Sequence, residues 1–289
     1  MTLRIVIVGP GRVGCAMARR FVHAGVELVG FVGRREERVG SAIAFCGRGR
    51  ALGWSDLVSA HVVVFAVGDG DLDAAVAAAA ANGGARPCGL WLHTSGRRGL
   101  DAFPPGLPGI RRGALHPAVP MPDAETGVLA LAGAPALVEA GPRSERLLRR
   151  ICAMLGVVPF TAGAVDRVAY HAACTLAANG LTALRGVVDR AFAASGGLGD
   201  AERRCLADAL MAAALRASSA HGAAAALSGP VRRGDVGTVR GHVARLEAMG
   251  PGAANVYRAL MLSAVDLVSA LDWITAAELR AALGPPGVR

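Results

Sequence analysis

This chain of 289 residues contains no lysine and no glutamine, so all 31 of its basic residues are arginine. The absence of lysine excludes a Schiff base, a lysine general acid and the lysine of a Walker-type phosphate loop. Aromatic residues make up only 4% and charged residues only 18% of the chain. The interleaved aromatics of a nucleic-acid stacking platform are therefore missing. The arginines come instead in scattered pairs, at Arg19 and Arg20, Arg34 and Arg35, Arg97 and Arg98, Arg111 and Arg112, Arg149 and Arg150, Arg203 and Arg204, and Arg232 and Arg233. No nucleic-acid partner is expected, and the bias reads as the mark of a GC-rich coding sequence. The six cysteines, Cys15, Cys46, Cys88, Cys152, Cys174 and Cys205, lie far apart and form no C-x-x-C pair. They are expected to be reduced, small and buried, with no metal site. No apolar run reaches the roughly 20 residues of a membrane span, and the run before Gly9 is too short for a signal peptide. A cytoplasmic protein without a membrane partner is expected.

What is present is ample apolar material, 53% of the residues, in a length suited to two domains. The first half alternates β-branched runs with helical stretches, the pattern of a parallel sheet covered on both faces. The runs are Leu3 to Val8, Glu27 to Val32, Val62 to Val67, Leu90 to Thr94 and Arg111 to His116. Ala16 to Ala24, Glu36 to Phe45 and Asp71 to Ala81 supply crossover helices, and right-handed crossovers then give a doubly wound sheet. After Phe160 the strand signals stop. The expected fold is an α/β Rossmann-type parallel sheet over residues 1–160, followed by a smaller all-α domain over residues 161–289. Helices are expected at Asp166 to Ala194, Asp200 to Ser218, Asp235 to Met249, Ala253 to Leu271 and Thr275 to Leu283.

The first strand runs into Gly9, Pro10, Gly11, Arg12, Val13 and Gly14, a G-x-G-x-x-G that opens a helix. Gly9 permits the tight turn, Gly11 lets backbone approach a pyrophosphate, and Gly14 lets the helix pack closely on the strand. The phosphates would sit on the helix N-terminus. Twenty residues beyond Gly14 the second strand ends in Gly33, Arg34 and Arg35, where guanidinium would accept the 2′-phosphate of NADP and a carboxylate would select NAD. NADP is expected, although a small shift of register would bring Glu36 or Glu37 to the ribose instead. Val67 and Gly68 are expected under the ribose and nicotinamide half, with Thr94 and Ser95 near the reacting carbon.

In the helix after Asp166, the polar residues His171, Thr175, Asn179 and Thr182 interrupt an apolar sequence. At about 100° per residue they share a narrow stripe, which either faces a ligand cleft or forms a satisfied internal network. His171, one turn from Thr175, titrates near neutrality when unperturbed and could serve as general acid. His116 and His93 follow strands on the cleft side, and Tyr170 points away from the stripe. Arg232 and Arg233, beside Gly229 and Pro230 and before a helix that Asp235 could cap, are candidates for holding a substrate carboxylate.

A Rossmann domain entered by such a helix resembles the superfamily of 6-phosphogluconate, 3-hydroxyisobutyrate, ketopantoate and pyrroline-5-carboxylate reductases and dehydrogenases. The ordered strings Leu92 to Gly96, Leu115 to Pro117, Tyr170 to Ala173 with Asn179, and Leu227 to Asp235 more closely resemble a bacterial group of NAD(P)-dependent oxidoreductases with a C-terminal helical domain of unknown function. The resemblance implies an oxidoreductase, and a homodimer formed through the helical domain. In the hydroxyacid-dehydrogenase branch a catalytic lysine stands four residues before the asparagine, and here Thr175 occupies that position. The proton would then come from His171, from water or from a protonated C=N substrate. Two readings follow. One is an NADPH-dependent reductase of a small carboxylated metabolite, ketopantoate-like or pyrroline-carboxylate-like, with His171, Asn179 and Ser95 catalytic and Thr175, His116, Arg232 and Arg233 binding substrate. The other is a catalytically silent NADP-binding sensor or assembly protein.

Overall fold

The computed structural model describes residues 2–84, 86–87, 89–104, 109–161, 163–268 and 270–284; Cys88 lies outside them. The chain divides into two compact units, Met1–Ala178 and Asn179–Arg289.

The first unit is built on eight strands, β1 (Arg4–Val8), β2 (Glu27–Val32), β3 (Arg50–Ala51), β4 (Val62–Phe65), β5 (Leu90–His93), β6 (Arg111–Pro117), β7 (Pro135–Ala140) and β8 (Val158–Thr161). They form one sheet in the order β3-β2-β1-β4-β5-β6-β7-β8. The first six pair in parallel, in the order 3-2-1-4-5-6 of doubly wound dinucleotide-binding folds. β7 departs from the expected all-parallel sheet: it pairs antiparallel with β6, and β8 then pairs parallel with β7. A short helix, α4 (Ala124–Ala130), joins β6 to β7 and is too brief to cross the sheet, so the chain reverses.

Side chains alternate along each strand, and both faces are buried. Ile5, Ile7, Val62, Val64, Leu90 and Leu92 face α1 (Arg12–His23), α2 (Glu36–Cys46) and α5 (Glu145–Leu155). Val6, Val8, Val63, Phe65 and Trp91 face α3 (Asp69–Ala81). Phe65, Trp91 and Phe103 cluster at 5.2–6.2 Å between ring centres, Phe103 edge-on to the other two and Phe65 tilted against Trp91; such aromatic pairs add about 0.5–1.5 kcal/mol each beyond burial.

The unit extends past the change of composition at residue 160, through α6 (Arg167–Thr175). Side-chain bonds from α6 to the sheet carry it there: Arg167 pairs with Glu139 of β7, and Tyr170 bonds His116 of β6. Asp166 caps this helix by accepting from the Val168 and Ala169 amides at 2.9 and 3.0 Å. The helix does not continue unbroken to Ala194. A π-helical turn over Leu176–Gly180 separates α6 from α7 (Leu181–Ser195), so a 100° step does not hold past Thr175 and the four-residue polar stripe is not a continuous feature.

The second unit contains α7, α8 (Asp200–His221), α9 (Ala223–Ala226), α10 (Val236–Glu247), α11 (Pro251–Leu267) and α12 (Trp273–Leu283). Asp235 caps α10 by accepting from the Thr238 amide at 2.9 Å. The last three helices enclose a small core of Val239, Val243, Val265, Leu279 and Leu283. By contrast α8 buries only Ala207 and leaves Leu210 and Leu215 60% and 61% exposed. Among the described cysteines, Cys15, Cys46 and Cys152 are buried as expected, but Cys174 is half-buried and Cys205 on α8 is exposed. Among the described residues, no helix is long and apolar enough to cross a membrane.

Candidate functional site

The loop after β1 turns on Gly9, whose φ of +99° is open to few residues other than glycine. A Cβ there would also lie 2.5 Å from the Ala66 carbonyl oxygen and 2.8 Å from Val67, so the loops after β1 and β4 abut. A Cβ on Gly14 would lie 2.2 Å from the Gly9 carbonyl oxygen. Gly11, the N-cap of α1, has nothing within 4 Å of that position and leaves its backbone open. These are the three geometries that a phosphate cradle requires.

The cradle opens into a cleft of about 530 Å³. Of the expected cofactor residues, Gly9, Pro10, Gly11, Gly33, Arg34, Arg35, Val67 and Gly68 line it. Arg12, Val13, Gly14 and Thr94 do not. Arg12 donates to the Pro122 carbonyl at 3.1 Å, Val13 packs on the core, and the Thr94 amide bonds Phe65. At the end of β2 the cleft is lined by three guanidiniums, of Arg34, Arg35 and Arg38, and by neither Glu36 nor Glu37. Arg34 donates to the Asp71 carboxylate at 2.9 Å across the cleft mouth. Arg38, Trp54 and Asp71 escaped the sequence reading. Arg38 lies in the first turn of α2, four residues past Arg34, and no sequence motif singles it out.

A second cluster lies in the same unit, where β5 and β6 end. Gly96 sits between two imidazoles: a Cβ on it would lie 2.8 Å from His116 Nε2 and 2.9 Å from His171 Cδ2. The two rings meet edge to face at 5.9 Å. Tyr170 approaches His116 from the other side, its hydroxyl 2.9 Å from Nδ1. Burial, then His171 and Arg167, push the His116 imidazole down to about 4. Burial, then Cys174, pushes the Tyr170 phenol up. With the imidazole neutral and the phenol protonated, a Tyr170 O–H donated to Nδ1 would leave the His116 proton on Nε2 at Gly96. Tyr170 is therefore part of the cluster despite its expected orientation away from it.

The remaining expected residues lie in other surroundings. The buried Ser95 hydroxyl accepts from the Arg97 and Arg98 amides at 3.2 and 3.1 Å, which caps its loop and leaves only its own proton to give. His93 is fully buried, with Nε2 2.8 Å from the Gly99 carbonyl and burial lowering its pKa. Thr175 donates back to the His171 carbonyl at 2.9 Å, and Asn179 is exposed. Arg232 and Arg233 are exposed in the second unit, and Arg232 reaches the Ala224 carbonyl at 3.2 Å.

Arg167 is the cation that sequence reasoning passed over. Its Nη2 bonds Glu139 at 2.6 Å, while Nη1 is buried without a partner among the described residues, as is His93 Nδ1. Its charge acts on both His93 and His116, and it lines a hollow of about 480 Å³ with Gly99, Asp101 and Glu139. An unpaired buried guanidinium nitrogen costs about 1–3 kcal/mol or more unless something bonds it. Among the described residues no cluster of three or more histidine, cysteine or acidic side chains could hold a metal ion.

Taken together, these features define the class: a Rossmann unit with a dinucleotide-type cradle and a histidine-lined second site, followed by a helical unit. Residues 134–264 match the family model described as a domain of unknown function, DUF2520. No curated protein matches the sequence. Among solved structures, the chain is similar to a provisionally named NADP oxidoreductase from Bacteroides fragilis, at 18% identity and a TM-score of 0.74, covering 91% of this chain and 98% of that one. A protein from Thermotoga maritima matches at 21% identity and a TM-score of 0.63 over the same shares. A pyrroline carboxylate reductase from Plasmodium falciparum, solved with NADP bound, matches at 10% identity and a TM-score of 0.60 over 98% of both chains. At these identities what is shared is the fold.

Proposed function

We propose that this chain is an NADPH-dependent oxidoreductase acting on the C=O or C=N carbon of a small carboxylated metabolite, ketopantoate-like or pyrroline-carboxylate-like. The observation that carries this reading is the cleft: an open Gly11 backbone at a helix N-terminus, with three arginines and no glutamate where the ribose phosphate of NADP would lie. When bound, the nicotinamide supplies the hydride. The Gly9 to Gly11 backbone binds the pyrophosphate, and Arg34, Arg35 and Arg38 bind the 2′-phosphate, Arg34 exchanging Asp71 for it.

The strand order supports the rest. β1, β4, β5 and β6 are successive neighbours, so the cradle after β1 and His116 on β6 are three strand spacings apart, about 14 Å. Gly68 and Ser95 follow the two intervening strands. His116, neutral, donates Nε2–H to the substrate's reacting oxygen or nitrogen, in the way a neutral imidazole polarises a carbonyl. His171 supplies the proton that a ketone needs. A protonated imine brings its own. Arg167 Nη1 bonds the substrate carboxylate, a role first read into Arg232 and Arg233. The lack of lysine at Thr175 makes imine reduction the easier reaction.

The test is NADPH oxidation against 2-oxo acids and cyclic imines, with Arg167→Ala beside the wild type. Turnover with KM raised at least tenfold in the variant is expected. Tight NADPH binding with no turnover on any substrate would favour the silent sensor.

A further inference from the structure

The arginines that are scattered along the sequence converge at the opposite end of the sheet from the dinucleotide cleft. Two adjoining hollows, of about 440 and 340 Å³, open at the amino ends of β1, β4 and β6. The larger is lined by Arg111, Arg143, Arg146, Arg150 and His61, and the smaller adds Arg112 while sharing Arg111 and Arg143. Among the described residues, no carboxylate lines either hollow. Elsewhere arginines such as Arg98, Arg167 and Arg258 are paired with acids. Arg143, Arg146 and Arg150 have no such partner among the described residues.

Arg146 and Arg150 stand one turn apart on α5, a spacing at which like charges repel. Arg143 is held where the hollows meet by a tight turn, closed by the Ser144 amide on the Gly141 carbonyl at 3.0 Å. It follows Pro142 with a φ of +63°, a value that among the described residues no other non-glycine adopts and that turns usually give to glycine or asparagine. The strain places a guanidinium where glycine would be the relaxed choice. His61 accepts from the Arg4 amide through Nδ1 at 3.0 Å, which leaves Nε2 as a donor. Burial first, then Arg86 and Arg4, lower its pKa, with Glu27 opposing. Among the described residues, every polar side chain that lines these hollows can donate a hydrogen bond, the Thr2 hydroxyl included.

We propose that the paired hollows form a second anion site that takes a compact polyphosphate, either free or carried by a nucleoside, distinct from the dinucleotide cleft. A single monovalent anion would neutralise one of the arginines, whereas a chain of three phosphates can bridge Arg143 to Arg146 and Arg150. Among the described residues no phenylalanine, tyrosine or tryptophan lines the hollows, so recognition falls on the phosphates rather than on a stacked base. The site stands independently of the proposed reaction.

The test is calorimetric titration of the full chain with inorganic triphosphate and with ATP, against sulfate at equal ionic strength. It compares the wild type, Arg146→Ala/Arg150→Ala and Arg34→Ser/Arg35→Ser. Both replaced arginines of the first variant are exposed on α5, where alanine favours the helix. Triphosphate should bind the wild type and the Arg34/Arg35 variant alike, and at least tenfold more weakly the Arg146/Arg150 variant, whose NADPH affinity stays within twofold. ATP binding tighter than triphosphate assigns the phosphates to a nucleotide, and the reverse assigns them to a free polyphosphate. Triphosphate binding that is no stronger than sulfate, or that is unchanged in the Arg146/Arg150 variant, overturns the site. Failure of NADPH to bind any form bears on the proposed reaction alone.

Discussion

His116 offers a direct measurement of how this fold holds an ionisable group. Its imidazole is pushed down to about 4 by burial first, then by the like charges of His171 and Arg167, with Asp69 opposing and His93 adding to the fall. In the unfolded chain it titrates near 6.5. Protons therefore bind the unfolded chain more readily between pH 6.5 and 4. The stability gained by keeping this ring neutral is complete above about 6.5 and is lost as pH falls toward 4. At roughly 1.4 kcal/mol per tenfold difference in proton affinity, the whole effect is about 3 kcal/mol, most of it gone by pH 4.5. The assay is an NMR titration of protein labelled at its seven histidines, with the His116 signal identified by its loss in His116→Gln. A midpoint near 4 is expected, along with a stability that falls less in the variant than in the wild type between pH 7 and 4.5. A His116 midpoint at 6.5 would refute the buried, neutral imidazole.

Gly14→Ala places a methyl 2.2 Å from the Gly9 carbonyl oxygen; the phosphate loop must move, and calorimetry should register at least a tenfold loss of NADPH affinity. Arg34→Ser/Arg35→Ser should weaken NADPH by about 10–100-fold, at 1.5–3 kcal/mol for charged hydrogen bonds, and leave NADH within twofold. Asp71→Asn releases Arg34 from its carboxylate and should tighten NADPH a few-fold, since an exposed pair contributes about 0.2–1 kcal/mol. The exposed leucines of α8 are expected to be covered by a second copy of the chain; light scattering at the monomer mass would count against that, and Leu210→Glu should shift a dimer to monomer.

The parallel sheet was legible because a strand buried on both faces must be apolar at every position. Ile5 to Val8, Val62 to Phe65 and Leu90 to Leu92 have no polar residue to confuse the period. β7 was not legible. It begins at a proline, ends beside a glycine and carries Glu139, which cuts its buried apolar run to Ala136, Leu137 and Val138. Only pairing with β6 makes it a strand. The π turn at Leu176–Gly180 was hidden for a related reason, since Leu-Ala-Ala-Asn-Gly has no residue that a regular helix excludes, its glycine being only disfavoured.

The two halves of the candidate site differ in the same way. The cradle is local: Gly9, Gly11 and Gly14 lie within six residues, and the steric need for each is met by its immediate neighbours. The second cluster is assembled from Gly96 after β5, His116 on β6 and Tyr170 and His171 on α6, which only tertiary structure brings together. A helical wheel turned Tyr170 away because it assumed that one stripe faces one cleft. His116 instead meets α6 between two adjacent positions, taking the Tyr170 hydroxyl with Nδ1 and the His171 ring with its edge. Arg167 was passed over because a lone arginine at a helix start reads as solvated. Glu139 on the unrecognised β7 is what draws it inward, so missing that strand also hid the cation.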